Sequence, residues 1–583
     1  MIETVLVAGQ LFSSNLQFSL QQDGAISVSQ LTEWLREKNL VEILVRDNLH
    51  HPAYCESNLH FSLQQDGAIS VSQLTEWLRE KNLVEILVRD NLHHPAYCER
   101  LERIFRILLE KNAITLDDMD TLWNAQHGKH DVIQRDVHDL IAKLVNVFNI
   151  EMQDHLFERM KESWRMSSSR ERTLLLDLIR RIGSLTLKSL SLLWDLFRDD
   201  RLPVEMVDAA LDAHFSVLEN AVPAEEVRRH YIERCIDELL IDSVFVLPTL
   251  KHMQRLMMLV PENDFCYGKR MTRAEFISTI QQDTALCSRL SENVSLYMDK
   301  VRNTVSNRSQ PCNEADPGSM VFDGRYTHCD NLRVRLSFLH FLLTDGQLWL
   351  MTPQANEVWD ALVVRSVFEY ERTFGFQLFA TMQDHDDIDP KALDSFFRSR
   401  ILQLPVELLN EEGFSCFKIF WIAVNKKCKK LHQPTEGIPH YLLNDFELEG
   451  MDYLWEIMLQ ARNTVARLAT LLWVDVLSNP HTEVISDLAQ LIQMVVNKCF
   501  TVLKSNHDEL INGERDDAEK DKIIKRMSRV LVALHCYICA FDEDCFLPDR
   551  KRQPLRKACL GRCFLVPIIL SDRKCQLSGF DLS

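Results

Sequence analysis

The sequence predicts an all-α chain built from many paired helices, and two observations carry that expectation. Glycine is scarce, at 16 of 583 residues, where average usage of roughly 7% would give about 40. Proline is also low, at 17. Tight hairpins and glycine-dependent phosphate loops are therefore thinly supplied, and long helices joined by short polar turns are favoured. From Ser70 onward the apolar residues recur at helical spacing and continue to do so for most of the chain.

The elements follow in order. Leu101, Ile104, Phe105 and Leu108 fall at i, i+3, i+4 and i+7 and share one helix face. Thr115 supplies an N-cap oxygen for the next helix, and Asp117 and Asp118 suit the positive end of its dipole. Leu116, Met119, Leu122 and Trp123 are its expected buried stripe, and Gly128 marks a turn. Val137, Leu140, Ile141 and Leu144 begin the next face. Further stripes are Met152/Leu156/Met160, Leu175/Leu178/Ile179/Ile182 and Leu190/Leu193/Trp194/Phe197. Pro203 and Pro223 stand at helix starts, where a missing N–H costs little. Helices of about 12–18 residues paired across short turns are the pattern of an armadillo- or HEAT-like solenoid. A globular helical bundle is the alternative, but over this length it would need many more crossover connections.

Residues 14–56 recur almost letter for letter at 57–99, and only Gln17/His60 differs across the 43 positions. Solenoid repeats keep an apolar pattern while surface residues diverge. Here surface letters such as Gln21-Gln22-Asp23 and His50-His51-Pro52 are copied too, which points to a recent duplication of coding sequence, or to an assembly error, rather than to a period the fold requires. The second copy runs directly into the amphipathic stretch from Arg100 and is read as native. Residues 1–56 are then surplus, 57–302 a first helical block, 303–322 a flexible loop and 323–541 a second block. Within the second block, interruptions are expected at Asp384–Pro390, Pro434–Pro439 and Asn506–Asp521. Residues 542–583 form a tail whose segment Cys559–Leu570 is strand-like.

Composition excludes several functions. The 66 basic against 85 acidic residues give a net charge of −19, which repels nucleic acid and anionic membrane over most of the surface. The short basic cluster Arg550-Lys551-Arg552 with Arg556-Lys557 reads as a solvated patch. No apolar run approaches the ~18–20 residues that span a bilayer, so no membrane insertion is expected. Met1–Phe12 lacks a basic n-region and contains Glu3, unlike a secretory signal. The 16 cysteines are scattered through apolar helical patterns, as at Cys235, Cys287 and Cys499. That is the usage of a reduced, cytoplasmic protein.

Several strings resemble the N-terminal half of the fat facets family (FAM family) of ubiquitin-specific proteases. They are Leu83-Val84-Glu85-Ile86-Leu87-Val88-Arg89-Asp90-Asn91-Leu92-His93, Leu101–Leu109, Thr115–Gln126, Gly128-Lys129-His130 and Val137-His138-Asp139-Leu140. Gly324-Arg325-Tyr326-Thr327-His328, Asp345-Gly346-Gln347-Leu348-Trp349-Leu350, Ile401-Leu402-Gln403-Leu404 and Cys416-Phe417 continue it in the family's order. The likeness covers about Thr75–Leu565. It implies helical repeats flanking a papain-like cysteine deubiquitinase domain, with a ubiquitin-like module after the first helical block. Arg556–Arg562 and Phe564–Pro567 look like the start of that module, truncated here, and the resemblance places the catalytic domain outside this chain.

The chemistry such a domain needs is a thiolate, a His base and an orienting carboxylate or Asn. Phe265-Cys266-Tyr267-Gly268 and Gly437-Ile438-Pro439-His440-Tyr441 echo the family's boxes by a few letters without their context, so no catalytic residue is assigned. Cys536-Tyr537-Ile538-Cys539, with Cys545, Cys559, Cys563 and Cys575, could suggest zinc. The first pair, however, continues the helical stripe Val530/Leu531/Leu534, so packed free thiols are expected. Asp384–Asp389 lacks the Gly and bidentate Glu of a calcium loop. His50-His51 and His93-His94 are loop histidines, and Trp194, Trp349, Trp359 and Trp455 are expected in the core. Neither metal nor cofactor is expected.

The expected function is a non-catalytic helical scaffold that docks protein substrates or regulators, ubiquitinated ones included. Alternatives are a fragment of a complete thiol-dependent ubiquitin C-terminal hydrolase, or a helical adaptor unrelated to ubiquitin.

Overall fold

The computed structural model describes residues 83–542, apart from 90–94, 111, 184–186, 222–223, 241–242, 262–270, 308–316, 383–389, 433–440, 482–487 and 513–515. The duplicated segment 14–56, most of its second copy and the tail after Asp542 lie outside these residues. So do Pro223, the acidic turn 384–389 and the loop 434–439. The described chain divides into two compact units, with the boundary at Ile232/Glu233.

In the first unit, α1 (Leu83–Arg89), α2 (Pro95–Glu110), α3 (Leu116–Asn124) and α4 (Asp131–Leu144) are followed by α5 (Ile150–Met166), α6 (Ser169–Gly183), α7 (Lys188–Phe197) and α8 (Val204–Glu219). Each helix packs on the one two places along. α1, α3, α5 and α7 form one layer, and α2, α4, α6 and α8 form the other. That two-layer stacking is how a helical repeat buries a face it cannot cover alone.

Local chemistry sets the helix starts. Thr115 Oγ1 accepts from Asp118 N at 3.3 Å while the Asp118 carboxylate accepts from Thr115 N at 2.9 Å, a reciprocal capping box at α3. Asn149 Oδ1 accepts from Met152 N at 2.8 Å and caps α5. Pro203 is the N-cap of α8. The stripes expected from the sequence are buried: Val137, Leu144, Met160, Ile179, Ile182, Leu193, Trp194 and Phe197 expose 1% or less. Acidic groups on one helix meet basic groups two helices later. Glu102 pairs with Lys143, Asp139 with Arg181, Asp154 with Lys188, and Asp120 with both His155 and Arg159. The exposed pairs add little energy. Their consistent direction nevertheless favours one stacking order over its reverse.

The boundary falls inside α9 (Ala224–Leu240). In the second unit come α10 (Val246–Met258), α11 (Arg273–Thr284), α12 (Leu286–Ser306), α13 (His328–Thr344), α14 (Thr352–Trp359) and α15 (Glu369–Thr381). They are followed by α16 (Pro390–Phe396), α17 (Glu411–Lys427), α18 (Met451–Gln460), α19 (Asn463–Ser478), α20 (Leu488–Asn512) and α21 (Asp517–Asp542). α10, α13, α15, α17, α19 and α21 pack in succession as one row. A two-residue antiparallel pair, β1 (Leu431–His432) with β2 (Leu442–Leu443), closes the loop after α17, with Leu431 opposite Leu443. Aromatic rings fill the core. Trp359 meets Phe379 edge-on at 5.1 Å, Trp455 meets Trp473 at 5.2 Å, and Trp473 meets Tyr537 at 5.6 Å. Arg529, buried on α21, donates to Leu459 O at 2.8 Å and Ala461 O at 2.7 Å and so satisfies the last carbonyls of α18.

Several expectations are corrected. Residues 303–306, expected in a loop, belong to α12. Buried polar bonds tie α12 to α13, from Tyr297 to His328 and from Arg335 to Asn293. The charged stretch Asn506–Asp521 is largely helical, because α20 runs to Asn512 and α21 begins at Asp517. At 25 and 26 residues these two exceed the 12–18 expected. Charge along a helix is compatible with an exposed face.

Candidate functional site

Cys266 and His440, the two residues that echo catalytic boxes, lie outside the described residues. At four of the described thiols burial opposes a nucleophile. Burial pushes Cys98 up to about 11 and Cys287 up to about 12, and pushes Cys235 and Cys416 higher still. A reactive cysteine needs the opposite, a thiolate held by positive charge or a helix N-terminus. Cys536 and Cys539 sit on α21 beside the buried Ala533, Leu534 and Tyr537, half-buried on the flank of the stripe. Burial and the neighbouring Cys539 raise the Cys536 thiol. Cys539 Sγ lies 3.7 Å from His535 Nε2. Among the described residues no group of three potential ligands converges on a metal position.

One polar cluster is fully buried, and sequence reading did not assemble it. His328 and Glu371 expose none of their side chains, and Nε2 of the histidine lies 2.8 Å from Glu371 Oε1. The other ring nitrogen is 2.8 Å from the Tyr297 hydroxyl. Glu371 Oε2 also accepts from Val367 N at 2.6 Å and Phe368 N at 3.1 Å, at the start of α15. Arg335 stacks over the Tyr297 ring at 4.6 Å, donates to Asn331 Oδ1 at 2.6 Å and reaches Asn293 Oδ1 at 2.9 Å. Burial pushes the Tyr297 phenol well up, against the pull of Arg335. The histidine has an acid partner and a hydroxyl partner, as in a relay, but none of the three is open to a substrate. Its work is structural: it anchors the segment before α13. Asp323 Oδ1 accepts from Arg325 N and Tyr326 N, and His328 N donates to Met320 O at 2.6 Å. Gly324-Arg325-Tyr326-Thr327-His328 is therefore a turn, N-cap and buried anchor. The pair His328/Glu371 is 43 residues apart in sequence, so no local spacing could reveal it.

The string Asp345–Leu350 has a different character. It forms the turn between α13 and α14, and Trp349 is 44% exposed, which corrects the expectation that it lies in the core; Trp194, Trp359 and Trp455 are buried. The turn is fixed by backbone bonds from Gly346 N to Phe341 O (3.1 Å) and from Leu348 N to Leu342 O (3.0 Å). A Cβ on Gly346 would lie 2.5 Å from Leu342 O, so only glycine fits. Gln347 adopts a left-handed φ of 50°, uncommon for a non-glycine residue. The apolar letters Leu348, Trp349 and Leu350 suggested burial, but the turn breaks the helical period and carries the indole to the surface.

Among the described residues no thiol, base and carboxylate come together as a reaction centre. No helix among them is long and apolar enough to cross a membrane. The sequence family described as UBP24/USP9X/USP9Y ARM repeat matches residues 57–425. The chain is 34% identical over 569 residues to ubiquitin carboxyl-terminal hydrolase 9X of Mus musculus, covering 93% of this chain and 20% of that protein. It is 32% identical over 570 residues to the probable ubiquitin carboxyl-terminal hydrolase FAF of Drosophila melanogaster, covering 92% of this chain and 19% of that protein. With ubiquitin carboxyl-terminal hydrolase 24 of Homo sapiens the identity is 27% over 473 residues, or 75% of this chain and 16% of the relative. The chain thus spans about a fifth of the length of the curated relatives it matches.

Proposed function

The chain belongs to the UBP24/USP9X/USP9Y armadillo-repeat family, and from that premise we propose that it is the docking region of a fat facets-type deubiquitinase. Its stacked helices would hold protein substrates or regulators, ubiquitinated ones included, while hydrolysis is carried out by chemistry outside these residues. The observation that carries this reading is the pairing of a hydrolase-family match with thiols that are buried and pushed upward. The cytoplasm fits the reduced cysteines of the described residues. The family match begins at residue 57, the first residue of the second copy, which supports reading 1–56 as surplus to the repeat array.

Deleting the matching armadillo region from a full-length relative tests the reading. Cleavage of a small fluorogenic ubiquitin substrate should stay within about twofold, whereas turnover of a ubiquitinated protein should fall about tenfold through KM, the signature of lost binding rather than lost chemistry. An equal loss of both activities would contradict a docking role.

A further inference from the structure

We propose that two π-helical turns of the second unit, Asp360–Val364 and Phe397–Ile401, form one flexing joint that opens and closes in a single step, with Arg400 as its clasp. The joint is independent of the docking reading, and its failure would leave that reading standing. A π turn bonds residue i to i+5 and carries one residue more than an α turn. Such turns are rare and gather at functional sites. The two here continue α14 and α16, the helices that precede α15 and α17 of the packed row.

The turns are built alike. Arg365 N donates to Asp360 O at 2.9 Å, and Leu402 N donates to Phe397 O at 3.0 Å, the wide bond in each case. In each turn the carbonyl of the second residue accepts from a side chain. Ala361 O takes Arg302 Nη1 at 3.4 Å, and Arg398 O takes Gln403 Nε2 at 3.3 Å. A glycine lies against each turn. A Cβ on Gly375 would stand 2.9 Å from Val363 Cγ2, and one on Gly450 3.0 Å from Phe397 Cζ. Helices bend at π turns and where side chains enter the backbone ladder, and hinges are commonly residues at the ends of elements.

The clasp makes two turns into one device. Arg400, in the second turn, donates from Nη1 to Asp360 Oδ1 and from Nε to Asn356 Oδ1, both at 2.8 Å. Asp360 opens the first turn. Trp359 and Phe396, the residues immediately before the two turns, meet edge-on at 5.5 Å. A turn that moves between π and α registers by one residue rotates its side chains by about 100°. That carries Asp360 or Arg400 out of hydrogen-bond reach, so a closed clasp holds both turns and an open one frees both. The side chains of Arg400 and Asp360 are 29% and 32% exposed. Water can therefore replace the bonds that the clasp gives up, and the aromatic core beneath need not open with it.

Hydrogen–deuterium exchange of the full chain, read by mass spectrometry on peptides covering 360–366 and 397–403, tests the joint. In the parent chain both peptides should exchange at least about tenfold faster than α17, at rates within about threefold of each other. Arg400→Gln keeps the length of the side chain and removes its charge, and should speed both peptides about tenfold. Asp360→Asn should do the same, although that residue lies in the first turn alone. The double variant should exchange no faster than either single one, the sign of a shared contact. Thermal unfolding checks that each variant folds. Where Arg400→Gln does not, Arg400→Lys keeps the charge, loses the planar fork and should speed both peptides too. Protection equal to that of α17 at either turn of the parent chain would overturn the joint without any variant. Acceleration confined to the turn that carries the substitution, or effects that add in the double variant, would overturn the coupling.

Discussion

At the residue scale, buried histidines record how the fold treats charge. His138 on α4 is 5% exposed, lies 2.6 Å from Gln126 Oε1 and stacks near Trp123. Burial lowers its pKa from 6.5 to about 4, against a pull upward from the Leu174 backbone and with a further push down from Arg181. The unfolded imidazole therefore binds a proton between about pH 6.5 and 4 that the folded one refuses. Stability from this residue is complete above pH 6.5 and is lost as pH falls toward 4, about 2 kcal/mol of it by pH 5. His138→Gln should flatten this dependence, so that the gap in Tm between pH 7.5 and pH 5 is smaller than in the parent chain. An unchanged gap would show that His138 is not held neutral. Nothing in Val137-His138-Asp139 announced a buried imidazole. The histidine falls one position beyond the apolar stripe, and its burial comes from a neighbouring helix.

At the scale of elements, the repeating period and the caps were readable because both are local. The Thr115 box lies within four residues, and the Leu101–Leu108 stripe within eight. What stayed hidden depends on distance in sequence: the His328–Glu371 pair, the Arg529 cap on α18, and the exposure of Trp349. An indole between two leucines reads as core until the turn that turns it outward is seen. That turn supplies its own test. Gly346→Ala places a methyl against the Leu342 carbonyl at 2.5 Å, and backbone cannot yield as a side-chain tip can. The substitution should destabilise by about 1–3 kcal/mol, as overpacking does, visible as faster amide exchange across the α13–α14 turn. Exchange like that of the parent would mean the turn is not tightly fixed.

At the scale of the molecule, successive helices of the first layer begin at Leu83, Leu116, Ile150 and Lys188. A two-helix step thus takes between 33 and 38 residues, and the duplicated segment of 43 residues is of that order. In a stacked array stability is nearly a sum of neighbour terms, so an added or removed end segment acts locally. Removal of residues 1–56 should shift Tm by no more than a few degrees, about 1–2 kcal/mol. Collapse of the array on that deletion would make the first copy structural.

The central claim is that this region docks proteins and leaves hydrolysis to other residues. The most direct measurement is incubation of the purified chain with a ubiquitin bearing a thiol-reactive electrophile at its C-terminus, followed by intact mass. No covalent adduct is expected, because the described thiols whose surroundings shift them are raised by burial and no base–carboxylate set faces a thiol among the described residues. An adduct that disappears on Cys266→Ala would place a catalytic nucleophile in this chain and contradict it.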